Sequence, residues 1–294
     1  MEKIQVGELL VSRYVLGTDG YGEGVSEKTA FGLMERYLAL GGNLLDTARM
    51  YTDGKSEKIV GDFARAHKDE VLISTKCAFP PKGNMHKSRL SKAEIISDVE
   101  ESLRVLGVEC IDILWLHRDD EKLPVEPMID TLNLLVKQGK IKCFGASNWR
   151  HDRIMTANQY ASENGLAGFG ASQVLYNMAT VSHVWDDTLV ILADAEKKKY
   201  EEAPLPVFAF SSQAKGFFEK HKSNTLSEKA KARYFTAESL LTYDRIIKRT
   251  EKTGETVSGA ALRMLIEESL FPVLPILGAK SEEQLLSSID RGSL

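Results

Sequence analysis

The stretch VLISTKCAFPPKGNMHKSRLSKAEIISDVEESLRVLGVECIDILWLH, residues 71–117, decides how the chain is read. It opens on an apolar, β-branched run at 71–75 and closes on a second apolar run at 111–116. Runs of this kind mark strands buried on both faces, since each face packs on a hydrophobic layer. Between them Ser91 and Glu94 have the spacing of a capping box, opening a helical pattern over 92–106. Strand, capped helix and strand form the repeating unit of a parallel sheet, whose crossovers need this length.

The same alternation extends in both directions. Further apolar runs lie at 15–16, 43–45, 143–145, 171–175, 207–210 and 273–277. A helical stripe of Met128, Ile129, Leu132 and Leu135 runs through 126–137, and Ser281 with Gln284 caps a final helix. A doubly wound open sheet would want a glycine fingerprint after an early strand, and no GxGxxG occurs. A closed barrel needs eight β/α units in about 250 residues, and that count fits. The sequence therefore predicts an α/β fold, a (β/α)8 TIM barrel over 1–294 as one domain, preceded by a short β-hairpin at 4–11. The stretch 212–258 reads as a charged excursion between the last two barrel strands, and 196–199 as a solvated helix end.

A net charge of −4 gives no electrostatic case for nucleic acid or an anionic membrane surface, so the expected partner is a small molecule. Glu2, Lys3, Glu8 and Arg13 interrupt the N-terminal residues, so no leader is expected, and no run approaches the length of a membrane span. Cys77, Cys110 and Cys143 form no CxxC pair and are expected as small buried residues of a cytoplasmic, reducing compartment. The histidines show no HxH or HExxH spacing, so no metal site is expected.

A barrel carries its chemistry at the C-terminal ends of its strands. Asp46 and Tyr51 follow the second strand, Lys76 ends the third and His117 the fourth. Singly each has an ordinary reading: a turn aspartate, a rim tyrosine, a surface lysine, a strand-end histidine. Together they divide the labour of carbonyl reduction. A tyrosine hydroxyl supplies the proton, but its pKa of about 10 calls for a cation beside it. Lys76 is that cation, Asp46 holds it, and a neutral His117 donates a hydrogen bond to the carbonyl.

GGNLLDTARMYTDGKSEKIVG (41–61) resembles the signature of the aldo-keto reductase family, and ISTK (73–76), IDILWLH (111–117), GASNW (145–149), SQVLYN (172–177) and LGAKSEEQL (277–285) continue the likeness along the chain. The resemblance implies a catalytic tetrad of Asp46, Tyr51, Lys76 and His117, with Tyr51 as general acid/base and Lys76 lowering its pKa. It implies NADP(H), with NAD as the alternative, bound by Thr18, Asp19, Asp46, Ser147, Asn148, Gln173, Phe210, Ser211, Gly278, Lys280 and Gln284. Ser147, Asn148 and Gln173 would hold the carboxamide, Phe210 would stack on the nicotinamide, and Lys280 would meet a 2′-phosphate. Tyr21, Tyr51, His117 and Trp149 are the expected substrate walls.

Two departures from that pattern stand out. Ser211-Ser212-Gln213 occupies the place of a Ser-Pro-Leu segment, and Ser287-Ser288 that of an adenine-binding Glu-Asn pair. Both imply an altered grip on the cofactor, and 183–206 also matches poorly. They keep open a second reading, a nicotinamide-binding regulatory or interaction protein with little turnover. A third reading, a lyase or isomerase with Lys76 as a Schiff-base nucleophile, is disfavoured by the paired Asp46.

Overall fold

The apolar runs become short strands, which a computed structural model describes together with the rest of residues 1–68 and 70–289. Residues 69 and 290–294 of the expected 1–294 domain lie outside the described residues. Strands β1 (Lys3–Val6) and β2 (Leu9–Ser12) form the antiparallel hairpin, turning at Gly7 with φ +57. The barrel strands are β3 (Val15–Gly17), β4 (Leu44–Asp46), β5 (Leu72–Cys77), β6 (Ile111–Leu116), β7 (Ile141–Ser147), β8 (Ser172–Leu175), β9 (Val207–Phe210) and β10 (Val273–Gly278). They follow one another in sequence order, and β10 pairs in parallel with both β9 and β3, closing the sheet.

Helices α1 (Glu27–Ala39), α2 (Lys55–Ala66), α3 (Lys92–Leu106), α4 (Glu126–Lys137), α5 (His151–Glu163) and α6 (Asp194–Glu202) each follow one strand from β3 to β8. The charged excursion after β9 resolves into α7 (Phe217–Lys222), α8 (Glu228–Tyr234), α9 (Ala237–Thr253) and α10 (Val257–Glu267). Helix α11 (Glu282–Ile289) follows β10. Among the described residues no helix is long and apolar enough to cross a membrane.

The period of two along each strand divides the core into two layers. Leu44, Ile113, Trp115, Ala171, Phe208 and Leu274 point into the barrel, where Val6 and Val11 of the hairpin join them. Leu45, Ile73, Leu114, Leu116 and Val174 point outward into the layer between strands and helices. The same alternation fixes the rim. Continuing the inward face by two residues gives Asp46 from Leu44, His117 from Trp115, Gln173 from Ala171 and Phe210 from Phe208. Asp46, His117, Gln173 and Phe210 thus form the top layer of the barrel interior.

Helix starts follow the capping logic. Ser91 Oγ accepts from the Glu94 N–H at 3.4 Å and donates to the Glu94 carboxylate at 2.6 Å. Two expectations change. Glu196 is buried rather than solvated, because its Oε1 accepts the His151 N–H at 2.5 Å and so caps α5, whose own Arg150 supplies no side-chain cap. Cys77 is buried, but Cys110 and Cys143 keep partial exposure, Cys143 lying beside the hairpin turn at Gly7.

Gly145 is required by the inner layer. A Cβ there would stand 2.3 Å from the Trp115 ring and 2.7 Å from the Ala171 carbonyl oxygen. Gly145→Ala is therefore expected to destabilise the fold by about 1–3 kcal/mol, the usual cost of overpacking a tight core. Urea unfolding measures it, and an unchanged midpoint would show that the Trp115 ring can move aside.

Candidate active site

Asp46 ends β4 and Lys76 stands one strand over in β5, so neighbouring parallel strands bring their inward side chains together. The Lys76 ammonium donates to Asp46 Oδ2 and to the Thr47 carbonyl, both at 2.7 Å. Asp46 Oδ1 accepts from Ser74 Oγ at 2.7 Å and from the Gln173 amide at 3.1 Å across the barrel. Each charge is only 2% exposed, so removing one would leave the other buried without compensation. Burial alone would pull the lysine pKa down, but Asp46 and Tyr51 outweigh it and hold Lys76 above its ordinary value. The lysine stays charged. An ammonium so held, and absent from the cavity wall, is the opposite of a nucleophilic lysine.

Tyr51 enters from a turn after β4. Thr52 (φ 49), Asp53 (φ 53) and Gly54 (φ 85) all take left-handed backbone, and Thr52 Oγ1 secures the turn by donating to the Tyr21 carbonyl at 2.7 Å. This places the Tyr51 ring with its centroid 4.7 Å from Lys76 Nζ and 6.5 Å from the His117 ring. The Lys76 charge lowers the phenol pKa as expected. Burial raises it further, however, and the Asp46 and Asp19 carboxylates add to the rise, so the phenol sits above its ordinary value. Lys76 thus acts on the phenol in the expected direction, and burial is the larger influence. Tyr51 is held as a protonated donor.

His117 closes the set from the end of β6, its ring tilted against Phe79 at a centroid distance of 4.7 Å. Burial, then the charges of Lys76 and Arg118, hold its pKa well below the ordinary histidine value. The imidazole is neutral at physiological pH, as a hydrogen-bond donor to a carbonyl should be.

These groups open onto a cavity of about 920 Å³. Asp46, Tyr51 and His117 line one part of it, together with Tyr21. Ser147, Asn148, Gln173, Phe210 and Ser211 line it from the ends of β7, β8 and β9, and Thr18 and Asp19 from the loop after β3. Gly278, Lys280 and Gln284 extend it along the turn into α11. The Gln173 amide is spent on Asp46, which leaves its carbonyl oxygen for a ligand. Asn148 is more committed: its amide donates to the His117 carbonyl at 3.3 Å and its oxygen accepts the Val190 N–H at 3.2 Å.

Trp149 is the exception among the expected walls. Asn148 has φ +60, and the chain reverses there, so the Trp149 side chain enters the buried layer between strands and helices. Its ring packs against Phe169 at 5.2 Å and under the Arg153 guanidinium, away from the cavity lining. Sequence reasoning also missed Arg118, Gln213, Lys215 and Lys220, which line the cavity. Arg118 had a usable signal, since it follows His117 at a strand end. It is nearly buried, donating to the His117 carbonyl, Thr188 Oγ1 and Asp186. Gln213 and Lys215 sit on the loop after β9, where the family pattern is broken, and Lys220 sits in α7.

The residues present fit a dinucleotide. The cavity runs from the acid/base set to the lysine-bearing turn and is at the large end of ligand sites. Two buried polar atoms near the reacting end, Tyr21 Oη and His117 Nδ1, have no hydrogen-bond partner among the described residues. Such orphans at a cavity are explained most simply by a polar ligand.

The buried neutral His117 carries a pH signature. Below about pH 6.5 an unfolded histidine binds a proton that the folded His117 refuses, so stability falls as pH drops through that value. Between pH 7.5 and 5.5 this amounts to about 1.4 kcal/mol for a folded pKa well below the window. His117→Gln should remove that share of the acid destabilisation in urea unfolding. Identical pH dependence in both proteins would mean that His117 titrates in the fold as it does in the unfolded chain.

Comparison with known proteins agrees with this geometry. The profile of the Aldo/keto reductase family matches residues 13–294. Norsolorinic acid reductase B of Dothistroma septosporum is 29% identical over 283 residues, covering 92% of this chain and 69% of the relative. A probable aryl-alcohol dehydrogenase of Saccharomyces cerevisiae is 27% identical over 290 residues, covering 92% and 84%. A putative voltage-gated potassium channel subunit beta of Schizosaccharomyces pombe is 27% identical over 258 residues, covering 85% and 75%. With a closed eight-stranded barrel and a family match along nearly its whole length, the chain belongs to the aldo/keto reductase family and is an oxidoreductase.

Proposed function

We propose that the chain is an NADP(H)-dependent reductase of aldehyde, ketone or sugar carbonyls, with aryl carbonyls as the favoured substrates, acting in the cytoplasm. The observation that carries the reading is the buried Asp46–Lys76 pair set 4.7 Å from the centre of the Tyr51 ring. The aryl preference is supported by the name of the probable aryl-alcohol dehydrogenase and by Phe79 packed on His117. Lys280 in the turn before α11 supports a 2′-phosphate, because a lysine is a strong point charge for that group. Three cysteines without a disulfide support the reducing compartment.

When bound, the nicotinamide supplies the hydride. The rest of the chemistry belongs to side chains. Tyr51 gives its proton to the carbonyl oxygen as that oxygen gains charge, and the phenolate left behind is stabilised by the Lys76 ammonium. Asp46 and the Thr47 carbonyl keep that ammonium in place, so no reorganisation is needed during the transfer. The neutral His117 directs the carbonyl by hydrogen bonding. Ser147 and Gln173 would hold the carboxamide, with Asn148 fixing the backbone around them, and Phe210 would pack on the nicotinamide ring.

A second reading is a nicotinamide-binding regulatory protein with little turnover. It is favoured by the altered loop after β9 and by the likeness to a putative channel subunit. One experiment separates the two: purified protein, NADPH and a panel of aromatic and aliphatic aldehydes, with Tyr51→Phe alongside. The reductase reading expects turnover by the wild type and a loss of about 10²-fold or more in kcat for Tyr51→Phe, with NADPH still bound. Tight NADPH binding without turnover on any substrate supports the regulatory reading. Equal rates for mutant and wild type would show that Tyr51 is not the proton donor.

A further inference from the structure

The loop after β9 is strained and tied down at once. Ser211 (φ 52), Ala214 (φ 48) and Lys215 (φ 55) are non-glycine residues in left-handed backbone, a conformation that persists only where surrounding bonds enforce it. Those bonds are visible. Ser212 Oγ donates to the Ile276 carbonyl at 2.7 Å. The Gln213 amide nitrogen donates to Ser288 Oγ at 2.7 Å, while its carbonyl oxygen accepts the Gly278 N–H at 3.1 Å. The two partners fix the orientation of that amide, since a backbone N–H can only donate. Ser212, Gln213, Ser287 and Ser288 are positions at which this chain departs from the family pattern, and two of the departures, Gln213 and Ser288, bond to one another.

Gly278 begins the turn into α11 and lines the cavity beside Lys280. Its N–H is a donor that an anion at this turn would use. Two residues on, the Lys280 N–H is likewise held by a side-chain amide oxygen, that of Gln284 at 2.9 Å. We infer that Gln213 competes with the cofactor: its carbonyl oxygen stands in for a phosphate oxygen on the Gly278 N–H, and the adenosine-phosphate end of a dinucleotide must displace it to bind. This deepens the dinucleotide reading above and rests on it. Release of Gln213 also frees the strained loop, so the displacement is partly offset by relaxation of Ala214 and Lys215. Gln213 therefore weakens the hold on phosphate at this end of the cavity and leaves the nicotinamide end untouched.

The test is calorimetric titration of wild type, Gln213→Leu and Ser288→Ala with 2′,5′-ADP and, separately, with nicotinamide mononucleotide. Removing one internal hydrogen bond that competes with the ligand should tighten 2′,5′-ADP binding about fivefold in Gln213→Leu. Ser288→Ala, which frees the other end of the amide, should shift it the same way by a smaller factor. Nicotinamide mononucleotide should bind all three alike. Unchanged or weaker 2′,5′-ADP binding by a folded Gln213→Leu would overturn the inference, making Gln213 a ligand or a prop. If that variant does not fold, Ser288→Ala decides alone on the same criterion. Failure of the dinucleotide reading looks different: the wild type would bind neither fragment nor NADPH nor NADH.

Discussion

A buried ion pair is expensive unless every remaining hydrogen-bonding position is filled, and the site of this protein is organised around meeting that condition. Lys76 has Asp46 and the Thr47 carbonyl as acceptors and the Tyr51 phenol for its third donor, and Asp46 has two further donors, Ser74 and Gln173. The network links β4, β5 and β8 through the barrel interior, so the pair is fixed by the sheet rather than by mobile loops. Tyr51 and His117 then take their electrostatic character from it. The one is a phenol kept protonated by burial beside a cation that awaits its negative form; the other is an imidazole kept neutral by burial and neighbouring positive charge.

The closed barrel separates stability from chemistry along its axis. At the lower end the hairpin contributes Val6 and Val11 to an inner layer built around Trp115 and Phe208, whose rings meet at 4.9 Å. Gly145 exists to admit the Trp115 ring. At the upper end the same inward-facing positions turn polar, and the loops supply the rest of the cavity. The loop after β9 departs from this division, because it stores backbone strain while contributing to the wall.

Much of this was legible in the sequence. Near-continuous apolar runs mark strands packed on two layers, and the polar residue ending each run marks the rim, which is how Asp46, Lys76 and His117 could be found. What escaped depends on geometry that local sequence does not carry. Trp149 enters the layer between strands and helices after a left-handed Asn148, and although asparagine favours that backbone, the residue type alone does not say which asparagine adopts it. Glu196 looks like part of a charged run, yet it caps a helix supplied by a different β/α unit. The net rise of the Tyr51 pKa comes from burial set against the Lys76 charge, with Asp46 and Asp19 adding to the rise, and sequence alone does not give the burial. The bonds joining Gln213, Gly278 and Ser288 connect residues far apart in the chain, and their sequence trace was only a pair of unexplained departures from a pattern.

The claim on which the rest depends is that Lys76 is a permanent cation because Asp46 holds it. Its most direct test is an NMR titration of lysines labelled at Cε with carbon-13, with the Lys76 resonance assigned by its loss in Lys76→Met. The account predicts that Lys76 stays protonated through its ordinary pKa of about 10.4, and that Asp46→Asn, which leaves the burial and removes the counter-charge, brings the titration down into a lower range. A Lys76 resonance that already moves to its neutral position below about pH 9 in the wild type would contradict it.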